Sequence, residues 1–286
     1  MSAAGTAAAV RARPIGVFDS GVGGLTVLRA LRAAMPAESF LYLGDTARLP
    51  YGTKSAYTVV RYAIQAADEL VGRDIKCLVV ACNTAAAAAL PAMRERYAGL
   101  PVIGVIEPGA RAACAATVNG RIAVLGTDST VRGGAYTRAI MALNPRAQVS
   151  AIACSLFVAL AEEGWTEGAV AEAAAARYLQ PLLAAGAPDT LVLGCTHFPV
   201  LAAVIAGVVG GGVRIVDSAL TTATAVRAEL ERGELLRGAA TDAAADDAAG
   251  NGLEFLATDG IERFAAIGGR FLGQAIDPTT VELIDL

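Results

Sequence analysis

Short apolar runs bounded by turn-forming residues alternate along this chain with longer, Ala-rich stretches. The runs Ile15–Asp19, Phe40–Gly44, Cys77–Ala81, Val102–Val105, Ile122–Gly126, Val149–Ala153, Thr190–Gly194 and Gly212–Val216 read as strands buried on both faces. Between them, Gly24–Ala34, Ala56–Gly72, Ala85–Arg96, Thr130–Leu143, Gly168–Ala185 and Thr221–Arg232 read as helices. Such alternation predicts an α/β protein with mostly parallel sheet. In the tail, Gly238 to Gly252 is an Ala/Asp stretch, read as a solvated loop or weak helix end. Leu253–Ala257 and the helix-like Ile261–Ile267 follow, ahead of a charged terminus.

The two halves echo each other. Ile15-Gly-Val-Phe-Asp-Ser resembles Ile122-Ala-Val-Leu-Gly-Thr, and the strand leading to Cys82 resembles the strand leading to Cys195 at nearly the same offset. Two similar α/β units, with strand ends facing each other across a cleft, would account for both pairs. The strand ending at Val105 and the following Ile106-Glu107-Pro108-Gly109 mark the crossover into the second unit. Asp217-Ser218-Ala219 marks the return.

Composition narrows the setting. At 55% hydrophobic and 17% charged residues the chain has ample apolar surface for a core. A net charge of −4 argues against a phosphate-driven nucleic-acid binder. The stretch before Pro14 lacks a basic segment ahead of an apolar core, so it fails as a signal peptide and reads as a disordered lead-in. Phe198 to Val213 is uncharged but falls short of the ~20 residues a membrane span needs and contains Pro199 and four glycines. A buried helix followed by a glycine-rich turn is the reading. Five cysteines without close pairing fit a reducing compartment. The expectation is a cytoplasmic protein with no membrane partner.

Reactive groups in open α/β sheets collect outside the carboxyl ends of the strands. Leu78-Val79-Val80-Ala81-Cys82-Asn83-Thr84 and Leu191-Val192-Leu193-Gly194-Cys195-Thr196-His197 each place a cysteine there. A thiol at a helix N-terminus is expected to fall from ~8.5 toward neutrality. Cys77, Cys114 and Cys154 read as small core hydrophobes. His197, the only histidine, stands two residues beyond Cys195, in reach as a proton partner. A zinc site of Cys82, Cys195 and His197 lacks the paired spacing of structural zinc motifs, so no metal is expected. Phe18-Asp19-Ser20-Gly21-Val22-Gly23-Gly24 turns from strand to helix through three glycines and could present N–H groups to an anion. It carries neither G-K-[ST] nor a full G-x-G-x-x-G. Asp19, at the strand tip, suits an acid/base, orienting or helix-capping role. Gly44 to Gly52 is a polar turn-rich loop, and Glu162 and Glu163 close an apolar helical stretch.

Together these segments resemble glutamate racemases. The matching stretches are Pro14 to Leu28, Tyr42 to Arg48 with Pro50-Tyr51-Gly52, Ala81 to Thr84, Pro101 to Ala110, Gly126-Thr127 with Tyr136, and Leu193 to His197. Ser155 stands where that family more often has proline. The lead-in and the segment near Asp242–Asp247 have no family counterpart.

The resemblance implies cofactor-independent racemisation of glutamate by two cysteines, supplying D-glutamate for peptidoglycan. Cys82 would deprotonate the D enantiomer and Cys195 the L enantiomer. Asp19 would lie near Cys82, His197 near Cys195, and Glu162 (in preference to Glu163) behind the histidine. Substrate contacts would fall on Asp19, Ser20, Tyr51, Gly52, Asn83, Thr84, Thr196 and His197. The chain would return after the second unit, giving one domain from 1–104 plus 219–286 and another from 105–218. Family members commonly form homodimers, so a homodimer is implied here.

Inverting Cα needs a proton removed from one face and another delivered to the opposite face, so two bases on facing strand ends supply the geometry. Without a pyridoxal electron sink, local N–H and hydroxyl donors must carry the developing carboxylate charge. The alternatives are a racemase of the same superfamily acting on aspartate or a hydantoin, a Cys–His hydrolase using Cys195 and His197, a binding protein for an acidic amino acid, and a metal protein.

Overall fold

The computed structural model describes residues 3–238 and 252–286. Among these, ten strands form two sheets in which every pairing is parallel. One sheet contains β1 (Ile15–Asp19), β2 (Phe40–Gly44), β3 (Cys77–Val80), β4 (Val102–Gly104), β9 (Leu253–Ala257) and β10 (Val281–Leu283), in the order β10-β9-β2-β1-β3-β4. The other contains β5 (Arg121–Gly126), β6 (Gln148–Ala153), β7 (Thr190–Gly194) and β8 (Arg214–Asp217), in the order β6-β5-β7-β8. The four-strand order of the second sheet repeats the order β2-β1-β3-β4 of the first. The central strands β1, β2, β3 and β7 are buried along their whole length, which is why they read as continuous apolar runs.

The helices are α1 (Ala3–Ala12), α2 (Leu25–Ala34), α3 (Ala56–Gly72), α4 (Asn83–Arg96), α5 (Ile106–Ala116), α6 (Asp128–Gly133), α7 (Ala135–Leu143), α8 (Leu156–Glu163), α9 (Gly168–Ala184), α10 (Ala202–Val209), α11 (Ser218–Arg232) and α12 (Ile261–Leu272). In α2, Leu25, Thr26, Val27, Leu28 and Leu31 face the core while Arg29 is exposed, the spacing of an amphipathic helix. The two crossovers exchange helices between sheets. After β4, α5 packs on β7 and β8 of the other sheet; after β8, α11 returns to pack on α2 and α5. None of the helices among the described residues is long and apolar enough to cross a membrane.

Three expectations need correction. The stretch before Pro14 is not a disordered lead-in: it forms α1, as its alanines favour, and the Arg11 carbonyl accepts a hydrogen bond from Lys76 Nζ at 2.7 Å. The single helix expected over Thr130–Leu143 is two, α6 and α7, because Gly134 adopts a left-handed conformation between them. The Ile106 crossover is helical, and a short strand, β10, lies in the terminus read only as charged. The Ala/Asp stretch lies outside the described residues apart from its two ends.

Beneath the amino ends of the first sheet, the fully buried Lys76 ammonium pairs with the buried Glu38 carboxylate. Glu38 also accepts from the Arg237 backbone N–H at 2.9 Å, and Lys76 from its other side holds α1. Removing one partner leaves an uncompensated buried charge. Glu38→Ala is expected to lower stability by roughly 3–5 kcal/mol, measured by urea unfolding.

Candidate active site

The carboxyl ends of both sheets open onto one cavity of about 460 Å3, lined by Cys82 and Cys195 together with Ser20, Asn83, Thr84 and Thr196. Tyr51, Gly52, His197 and Glu162 also line it, with Thr127, Ser155 and Arg263. Asp19 does not. It is fully buried behind the cavity, its Oδ2 accepting from the Gly21 N–H at 3.0 Å.

Cys82 caps the N-terminus of α4. Its sulfur accepts from the Ala85 N–H at 3.4 Å and its thiol donates to Ser20 Oγ at 3.4 Å. The expected fall in its pKa is not what this environment produces. Burial, joined by the Asp19 carboxylate, pushes the Cys82 thiol up to about 12, outweighing the Ser20 hydroxyl and Ala85 N–H that favour thiolate. A helix N-terminus is a surface effect of limited size, and desolvation exceeds it here. Asp19 itself is raised by burial, against the His197 charge and the N–H groups of Gly24, Gly21 and Ser20.

Cys195 has the opposite neighbour. Its sulfur lies 3.8 Å from His197 Nδ1, and His197 Nε2 lies 3.2 Å from Glu162 Oε1. Burial alone would lower the imidazole pKa, but contacts with Cys195 and Glu162 carry it up to about 10. Both contacts favour the imidazolium form, in which each ring nitrogen carries a proton. Glu162 is held below the usual carboxylate range by its bond to His197, with Arg263 assisting. Arg263 reaches Glu162 Oε2 at 3.1 Å, and Arg270 donates to the Glu162 carbonyl at 2.6 Å. Both arginines lie on α12, which belongs to the other sheet's layer. Glu163 is exposed and points elsewhere.

The glycine loop after β1 serves close approach. A β-carbon at Gly23 would lie 2.4 Å from Thr196 Oγ1 and 2.5 Å from the His197 ring. Thr26 Oγ1 donates to the Thr196 carbonyl at 3.0 Å, tying this loop to the one carrying Cys195.

Further polar groups bond to one another on the loops around the cavity. Thr84 Oγ1 is 3.0 Å from Thr127 Oγ1 and 3.2 Å from Thr130 Oγ1, joining the two sheets' loops. The Tyr51 hydroxyl donates to buried Asp45, which also accepts from Arg48 Nε at 2.7 Å and Thr258 Oγ1 at 3.0 Å. With its hydroxyl so engaged, Tyr51 offers the cavity its ring and main chain. Ser129 Oγ donates to the Gly52 carbonyl at 2.7 Å, fixing this loop against α6. Among the described residues no group of three or more His, Cys, Asp or Glu side chains is arranged to hold a metal ion.

Sequence reasoning brought both cysteines, His197, Glu162 and the donor residues to one cavity. It missed Arg263, whose pairing with Glu162 joins residues far apart in the chain and leaves no local signal. It also passed over Asp45, whose anchoring role depends on burial.

Comparison with known proteins follows the same lines. The chain matches the Asp/Glu/Hydantoin racemase family over residues 15–226. It is 52% identical to the glutamate racemase of Geobacter metallireducens over 91% of this chain and 93% of that one. The glutamate racemase of Beutenbergia cavernae is 49% identical over 92% and 91%. Among solved structures, the glutamate racemase of Francisella tularensis in complex with D-glutamate superposes with a TM-score of 0.86 at 33% identity, covering 96% of this chain and 98% of that one. That of Thermus thermophilus gives 0.82 at 41% identity, with the same coverage. The chain therefore belongs to the Asp/Glu/Hydantoin racemase family, among its glutamate racemases, and is an amino-acid racemase.

Proposed function

We propose that this chain interconverts L- and D-glutamate by a two-base mechanism in which Cys82 and Cys195 work from opposite faces of Cα, supplying D-glutamate for peptidoglycan. The observation that carries the reading is that one cysteine from each sheet lines a single cavity, each with a neighbour of opposite charge. Relatives named glutamate racemase at up to 52% identity support the substrate. The two units proposed to build the cleft are 1–104 with 219–286, and 105–218, in keeping with the membership of the two sheets.

In the L-to-D direction Cys195 takes the Cα proton, so the C–H bond breaks as an S–H bond forms. Cys82, kept as thiol by burial and by Asp19, delivers its proton to the other face. The positive charge of His197 stands beside the Cys195 sulfur, and Glu162 holds the ring. Asp19 acts through Cys82, since it does not reach the cavity surface. Charge that develops on the substrate carboxylate is met by Ser20, Asn83, Thr84 and Thr196, with the Tyr51–Gly52 main chain nearby.

Incubating the protein with L-glutamate in D2O, followed by proton NMR and chiral chromatography, tests the activity. Loss of the Cα proton signal with formation of D-glutamate is expected. An unchanged signal from folded protein rules out glutamate and directs the assay to aspartate and hydantoins. Cys82→Ala and Cys195→Ala are each expected to lower racemisation by roughly 10²–10⁴-fold or more; full activity in either variant contradicts the two-base mechanism.

The pH profile tests the histidine. Imidazolium is favoured by the Glu162 carboxylate, so removing that charge lowers the His197 pKa. Glu162→Gln is expected to move the alkaline limb of kcat/KM down by about one pH unit or more, read from initial rates between neutral pH and about 10.5.

A further inference from the structure

Asn83 lines the cavity and is almost wholly buried, yet its side-chain nitrogen has no hydrogen-bond partner. A buried donor left unpaired is costly unless something in the site accepts from it. Its orientation is set from the other side: Tyr136, on α7, donates its hydroxyl to Asn83 Oδ1 at 2.8 Å. Burial, together with the charges of Cys195 and Asp217, raises the Tyr136 phenol well above its ordinary range and keeps its O–H available to donate.

Two glycines let the ring pack close against the backbone. A β-carbon at Gly194 would lie 3.0 Å from Tyr136 Cε2, and one at Gly109 would lie 3.2 Å from Cε1. These glycines, from β7 and α5, fall in the Leu193-Gly-Cys-Thr-His197 and Pro101–Ala110 segments. Neither glycine has a role in the proton transfers.

We propose that Tyr136 is a positioning residue which fixes the Asn83 carboxamide with its NH2 toward the cavity, making Asn83 a dedicated donor to a substrate carboxylate. An amide free to turn over could also present its acceptor oxygen to that anion. By donating to Oδ1, the phenol favours the orientation with NH2 toward the cavity, and it does so from α7, which packs on the sheet that carries Cys195, to a residue adjacent to Cys82. The inference rests on the proposed racemase function, because that function supplies the carboxylate.

A double-variant cycle tests it. Tyr136→Phe, which removes only the hydroxyl, is expected to raise KM for both glutamate enantiomers about tenfold, the size of one lost hydrogen bond, with a smaller change in kcat. Asn83→Ala should lose at least as much. In the Asn83→Ala background, Tyr136→Phe should add no further rise in KM, since its hydrogen bond toward the substrate-binding amide is gone. Melting temperatures check that each variant folds, and Asn83→Ser replaces Asn83→Ala if the latter does not. Additive losses in an active enzyme overturn the role of Tyr136 while leaving the racemase intact, as does an unchanged KM in Tyr136→Phe. A wild-type protein that does not racemise glutamate overturns the function, and this inference with it.

Discussion

The site depends on how closely the two glycine-bearing strand ends approach each other. Gly23 lies against Thr196 and His197 with no room for a side chain, and Thr26 bonds across to the Thr196 carbonyl. This contact brings the carboxyl ends of two separate sheets to one cavity. Without it the cysteines would each stand at the edge of an ordinary α/β unit, and neither would have a partner. The crossover helices enforce the same register from behind, because α5 and α11 each pack on the sheet they do not extend.

Much of the fold was legible in the sequence because the central strands are buried on both faces. Phe40–Gly44 and Thr190–Gly194 have sequence limits that coincide with the structure, since both sides of each strand must be apolar and turn residues bound them. The edge strand β10 was not legible: two of its three residues are exposed, so burial imposes no pattern. The lead-in was misread because a short Ala-rich segment carries no apolar face, and its placement comes from Lys76 and Arg237, far along the chain. For the site, residue types and strand ends identified Cys82, Cys195, His197 and the threonines. Their electrostatics could not be read the same way. A helix N-terminus is visible in a sequence, whereas the desolvation that overrides it at Cys82 follows from packing.

The repeated strand order explains how one architecture yields two cysteines at matching positions, but symmetry alone would give both the same protonation state. A two-base inversion needs one thiolate and one thiol, which exchange roles when the reaction reverses. The asymmetry enters through residues that differ between the two halves and through a segment that follows the repeat. On the proposed reading, Asp19 favours the protonated form of Cys82, whereas His197 places a positive charge beside the Cys195 sulfur. His197 keeps its charge through Glu162, and Glu162 is held by Arg263 and Arg270 of α12. That helix belongs to the segment that adds β9 and β10 to the first sheet after the repeat has ended. The added segment therefore does more than widen a sheet: α12, between the two extra strands, carries the cations that hold the acid behind the histidine. The first unit thus reaches across the cleft to set the charge beside the second unit's cysteine, and two similar halves become chemically distinct.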